Sequence, residues 1–98
     1  MSGITFNYIT RQVEINDQAH KLTDTEYRLL WVLYLNAGET IDYDTLLFKV
    51  WGKEYRGELK YLQDYIRLLR RKIEPDPKNP RYIINVRDYG YRLNSLPK

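Results

Sequence analysis

The stretch Leu59–Ile73, LKYLQDYIRLLRRKI, decides the fold. Leu62, Ile66, Leu69 and Ile73 fall at i, i+4, i+7 and i+11, the spacing of a core-facing helical stripe. Lys60, Tyr61, Asp64, Arg67, Leu68 and Arg71 point elsewhere, and three of these six are cationic at neutral pH. Pro75 and Pro77 cannot continue a helix, so the segment ends there. An α-helix of this length fits the major groove of B-DNA, where long basic side chains reach phosphates and base edges. The first expectation is a DNA-recognition helix.

Outward from this segment, the charge is lopsided. Residues 1–50 carry four Lys/Arg against seven Asp/Glu, a balance of −3. Residues 51–98 carry twelve against six, a balance of +6, and hold the basic helix. One-sided charge of this kind suits a polyanionic partner approached from that side. The 98 residues are 43% hydrophobic, enough for one small domain with a core. No run reaches the ~20 apolar residues of a membrane span, and no apolar targeting segment opens the chain. Cysteine is absent, which excludes a disulfide framework and a thiolate metal site and is compatible with a reducing cytoplasm.

On the N-terminal side, Ile4–Leu22 reads as short strands. Ile4, Phe6 and Tyr8 alternate with Thr5 and Asn7, Val13 and Ile15 flank Glu14, and Asn16-Asp17-Gln18 is a turn before Ala19–Leu22. Thr23-Asp24-Thr25-Glu26 is a capping box that starts a helix running to about Asn36. Tyr27, Leu30 and Tyr34 form an apolar line beside Leu29 and Leu33, and Trp31 is expected in the core of this central helix. Gly38 is the expected left-handed stop. After extended Thr40-Ile41, Asp42 caps a second helix, Tyr43–Trp51, that buries Leu46, Leu47 and Val50. Gly52–Gly57 is a polar loop, and Trp51 before it is expected as a core residue or loop anchor.

On the C-terminal side, Tyr82, Ile84 and Val86 alternate, then Tyr89, Tyr91 and Leu93. A hairpin reverses at Arg87-Asp88-Tyr89-Gly90, where Gly90 supplies either a positive φ or a close backbone approach. The order is sheet, three helices, hairpin. This is an α+β winged helix-turn-helix with a long loop between helices two and three.

LTDTEYRLL (Leu22–Leu30), VWG (Val50–Gly52), LRRKIEPDPKNPRYI (Leu69–Ile83) and VRDYGYRL (Val86–Leu93) together resemble the C-terminal DNA-binding domain of OmpR/PhoB-type response regulators. The resemblance covers nearly the whole chain. It implies a four-stranded N-terminal sheet, a third helix in the major groove and a wing in the adjacent minor groove. It further implies an Asp-phosphorylated receiver domain served by a sensor kinase, direct-repeat DNA sites, and RNA polymerase as a partner of the loop between helices two and three. No receiver lies within these 98 residues, so the expectation is an excised effector domain, monomeric alone and dimeric on DNA, in the cytoplasm.

Lys60 and Arg70 match family positions usually held by Arg and are assigned to phosphates. Arg67 and Arg71 can reach phosphates or a guanine, the commonest specific contact of Arg. Tyr61, Tyr65, Leu68 and Asp64 depart from the family pattern. Tyr61 and Leu68 suit thymine methyl groups, and Asp64 suits cytosine N4 or a neighbouring Arg. Arg87 matches the minor-groove Arg of the wing, and Asn85 and Tyr91 match backbone-contacting wing positions; the alternative for either is a sheet-stabilising role, and for Tyr91 a core position. Lys72 is expected to be a solvated helix-end charge. Lys53, Glu54, Tyr55 and Arg56, rather than Trp51, are the candidates for direct contact with a protein partner such as the polymerase. A metal role for the single His20 is improbable without other ligands around it, and no cofactor is implied. The chain carries no catalytic constellation or Gly-rich phosphate loop, which argues against an enzyme. The competing reading is a protein-interaction module on a winged-helix scaffold with weak or lost DNA binding, motivated by Asp64, Tyr61 and Tyr65.

Overall fold

The computed structural model describes residues 3–94. Strands β1 (Ile4–Asn7), β2 (Gln12–Ile15) and β3 (Gln18–Lys21) form an antiparallel sheet in that order. Phe6 pairs with Val13, and Val13 with His20. The turn between β2 and β3 has two residues. Asn16 and Asp17 take φ of 50° and 70°, the pair of positive values that a right-twisted hairpin requires. Gln18, expected in the turn, is already paired with Ile15. The resemblance implies four strands here; among the described residues this sheet has three.

Helix α1 (Asp24–Leu35) starts at the expected capping box. The Glu26 amide donates to Thr23 Oγ1 at 3.2 Å, and the Thr23 amide donates to Glu26 Oε1 at 2.9 Å. Tyr27, Leu29, Leu30, Val32 and Leu33 are buried. Trp31 and Tyr34, expected in the core, are instead 39% and 38% exposed. Each packs against Phe6 at a ring-centroid distance of 5.0 Å, and the two rings stack on each other at 5.9 Å. Gly38 does take positive φ, at 89°, two residues beyond the Asn36 cap, and its amide donates to the Leu93 carbonyl at 2.8 Å.

Strand β4 (Thr40–Asp42) leads into α2 (Tyr43–Trp51). The Asp42 carboxylate accepts from the Thr45 amide at 3.1 Å and the Thr45 hydroxyl at 2.6 Å. The hydroxyl bond holds its pKa below the usual carboxylate value. Leu46, Leu47 and Val50 are buried as expected. A turn of 3-10 helix, Lys53–Tyr55, then connects to α3 (Leu59–Ile73).

Strands β5 (Ile83–Val86) and β6 (Gly90–Leu93) make the C-terminal hairpin, and β6 also pairs with β4, giving the order β4-β6-β5. The alternation expected for the first of these strands is corrected. Ile83 is fully buried and Ile84 only half-buried, while Tyr82 is buried from a position before the strand. At the hairpin, the positive φ falls on Asp88 (61°), not on Gly90. Gly90 serves close approach instead: any Cβ there would collide with the Ile41 carbonyl of β4. One cluster of buried residues, among them Val13, Leu30, Leu46, Leu62, Ile66 and Ile83, joins both sheets to all three helices.

Candidate nucleic-acid interface

Leu62, Ile66, Leu69 and Ile73 of α3 are all buried, which fixes the rotation of the helix about its axis. Positions 60, 64, 67 and 71 repeat the same spacing two residues earlier, roughly 200° around the helix. Lys60, Asp64, Arg67 and Arg71 therefore form a ridge opposite the core. Lys60 and Arg67 side chains are 82% and 63% exposed, and Arg71 is exposed. Leu68 lies beside the ridge, at the margin of exposure. Asp64 Oδ1 sits 3.2 Å from both Lys60 Nζ and Arg67 Nη1. The Lys60 bond, with help from Arg67, holds the Asp64 carboxyl below its usual range, so it is ionised at neutral pH.

Arg70 departs from its expected place at a phosphate. It lies on the flank of α3, and its Nη2 donates to the Ile83 carbonyl of β5 at 2.8 Å. The guanidinium carbon is 5.8 Å from the centroid of the Tyr91 ring, and burial lowers the pKa of the guanidinium from its ordinary value. Tyr91, expected at a wing position or in the core, is only 4% exposed and packs beneath the wing. Burial raises its phenol pKa. Lys72 is also corrected: its Nζ pairs with the buried Glu26 carboxylate at 2.6 Å, tying the end of α3 to the start of α1.

Tyr61 and Tyr65 turn sideways, toward the loop between α2 and α3. Trp51 lies 5.0 Å from Tyr61 and 5.3 Å from Tyr65, and Tyr55 completes the cluster 5.2 Å from Tyr61. Trp51 is thus the loop anchor, as expected. A hydrogen bond with Tyr65 raises the Tyr61 phenol pKa. Lys53, Glu54 and Arg56 are exposed, whereas Tyr55 is half-buried in the ring cluster. Phe48, 60% exposed on α2 beside Lys53 and Arg56, went unnoticed in the sequence because its position carries no periodic signal.

On the wing, Arg87 is almost fully exposed at the hairpin turn, with only a 4.0 Å surface pair to Asp88. Asn85 is exposed, and its Oδ1 accepts from the Tyr43 hydroxyl at 3.2 Å. The residue that sets the wing was not singled out in the sequence. Glu74, 6% exposed at the end of α3, accepts from the amides of Arg81, Tyr82 and Ile83 at 2.7–3.1 Å. The signal was present as an acid immediately before Pro75. Among the described residues, no group of three or more His, Cys, Asp or Glu is arranged to hold a metal ion, and no helix is long and apolar enough to cross a membrane.

Comparison with known proteins agrees with this geometry. Residues 17–93 match the family model described as "Transcriptional regulatory protein, C terminal". The chain is 39% identical over 82 residues to the alkaline phosphatase synthesis transcriptional regulatory protein SphR of Synechococcus elongatus, covering 84% of this chain and 32% of SphR. It is 37% identical over 92 residues to the KDP operon transcriptional regulatory protein KdpE of Escherichia coli, covering 94% of this chain and 41% of KdpE. The chain thus spans well under half the length of these curated relatives. Among solved structures, the Klebsiella pneumoniae RstA DNA-binding domain in complex with the RstA box superimposes with a TM-score of 0.83 at 29% identity, covering 96% of this chain and 94% of that one. The Thermotoga maritima response regulator DrrB, an OmpR/PhoB homologue, gives 0.81 at 25% identity over 97% of this chain and 43% of that one. With the buried stripe of α3, the wing and the family match all in agreement, the chain belongs to the OmpR/PhoB-type winged-helix DNA-binding domains of transcriptional regulatory proteins, a family of regulators and not of enzymes.

Proposed function

We propose that this chain binds double-stranded DNA with sequence preference and acts in transcription control as the effector domain of a two-component response regulator. The single observation that carries this reading is the exposed Lys60–Asp64–Arg67–Arg71 ridge on the face of α3 opposite its buried stripe. The ridge enters the major groove and Arg87 enters the adjacent minor groove, where narrow A·T-rich tracts attract Arg. Asn85 contacts the DNA backbone, and Leu68 packs on a thymine methyl group. Arg70 supports the interface from within, and Tyr61 and Tyr65 brace the loop.

The complete protein carries a receiver domain that accepts phosphate from a sensor kinase. The effector domain is a monomer alone and pairs on direct-repeat sites in the cytoplasm. Lys53, Glu54 and Arg56, with Phe48 beside them, form the surface offered to RNA polymerase. The rival reading, a protein-interaction module without DNA binding, loses two of its motives, because Tyr61 and Tyr65 are engaged with Trp51.

The test is selection of binding sites from random duplex DNA, repeated with Arg67→Ala and Arg87→Ala. Enrichment of a repeated half-site, altered by Arg67→Ala and weakened in its flanking A·T preference by Arg87→Ala, is the expected result. No enrichment by folded protein would transfer the weight to the protein-interaction reading.

A further inference from the structure

The cationic ridge of α3 carries an acid at its centre, and helix stability does not explain it. Lys60 lies N-terminal to Asp64 at i, i+4, the weaker order for such a pair. Both pairs of Asp64 are on the surface, where ion pairs contribute little. A carboxylate facing a polyanion also reduces affinity. What Asp64 does do is bind two of the three ridge cations through one oxygen, each at 3.2 Å. That contact withdraws part of their charge from phosphates. It also restrains Arg67, a long side chain that is otherwise free at 63% exposure. The contact uses Nη1, so the remaining N–H groups of the guanidinium stay available to a base edge.

The geometry points to Asp64 as a specificity-determining residue: it restrains Arg67 so that the ridge discriminates between base pairs instead of gripping the phosphates of any duplex. This rests on the DNA-binding reading above. A free Arg67 side chain would adapt to whatever phosphate lay nearest, and such contacts carry no sequence information. A braced Arg presents its fork in one direction, as bidentate recognition of guanine demands.

The experiment compares Asp64→Asn with the unaltered chain, and repeats the comparison in an Arg67→Ala background. Affinity is measured for a selected duplex and for a scrambled duplex across a range of salt. Asp64→Asn is expected to tighten scrambled-duplex binding several-fold and to steepen its log–log salt slope by about 0.9 as one more cation meets a phosphate. The ratio of selected to scrambled affinity is expected to fall about tenfold, within the range of one bidentate base contact. In the Arg67→Ala background, Asp64→Asn should leave that ratio unchanged. An unchanged ratio in the first comparison would overturn the inference. So would a loss of ratio that persists without Arg67, because Asp64 would then be reading a base itself. Absence of duplex binding by the unaltered folded chain would instead defeat the DNA-binding reading on which both rest.

Discussion

The Glu74 carboxylate accepts from the Ile83 amide at 2.8 Å, joining the first residue after α3 to the first residue of the wing. The intervening Pro75–Arg81 segment is largely exposed, so this bond and its neighbours to Arg81 and Tyr82 set where the wing leaves the helix. Arg70 reinforces the same junction through the carbonyl of the same residue, Ile83. The end of α3 and the start of the wing are therefore held together.

Removing Glu74 should expose how much the junction contributes. Glu74→Ala leaves buried amides of Tyr82 and Ile83 without their acceptor, a loss of about 2–4 kcal/mol from the cost of unmade hydrogen bonds. Glu74→Gln keeps one acceptor oxygen and should lose about half as much. Urea unfolding of both variants measures it. Equal stability of Glu74→Ala and the unaltered chain would show that water replaces the carboxylate without cost.

Two neighbouring arginines should separate cleanly. Arg70→Ala removes a half-buried stem and the bond to Ile83, and should cost about 1–2 kcal/mol of stability. Its effect on the salt slope of DNA binding should be small. Arg71→Ala should leave stability within about 0.5 kcal/mol, as expected of an exposed position, and should reduce the slope by about 0.9. Denaturation and salt titration of the two variants decide the matter, and a reversed pattern would place Arg70 at the DNA.

Sequence and structure agree where the signal is local. The α1 capping box and the α3 stripe were legible because a helix end and a helical face are each written within about one or two turns. The free ridge followed from the stripe by geometry alone. The inward turn of Arg70 was not legible, because its acceptor is thirteen residues away on another element. Trp31 misled for a related reason: its apolarity marked it as core, but burial depends on what covers α1, and Phe6 covers only part of the ring. Gly90 was ambiguous between two roles until β4 was seen to pass directly beneath it.

The α2 cap makes a pH prediction with a definite sign. The Asp42 pKa is lowered in the folded chain, so the unfolded state binds its proton more tightly. The cap's contribution is fully present above the ordinary carboxylate value of 3.8 and is lost as pH falls through the lowered folded value. Asp42→Ala should cost about 1 kcal/mol at pH 7. The difference between this variant and the unaltered chain should narrow below about pH 4, where the carboxylate protonates. Thermal unfolding of both across pH 2–7 provides the comparison. A gap that stayed constant to the lowest pH would mean that the hydroxyl bond to Thr45 does not depend on the charge.

The measurement that tests the central claim most directly is the salt dependence of duplex affinity for the unaltered chain, Arg71→Ala and Arg87→Ala. The account predicts a log–log line with a negative slope of several units, which becomes shallower by about 0.9 for each Arg that meets a phosphate. Affinity that is absent, or indifferent to salt, in protein shown to be folded would contradict the assignment of the α3 ridge and the wing as a DNA-binding surface.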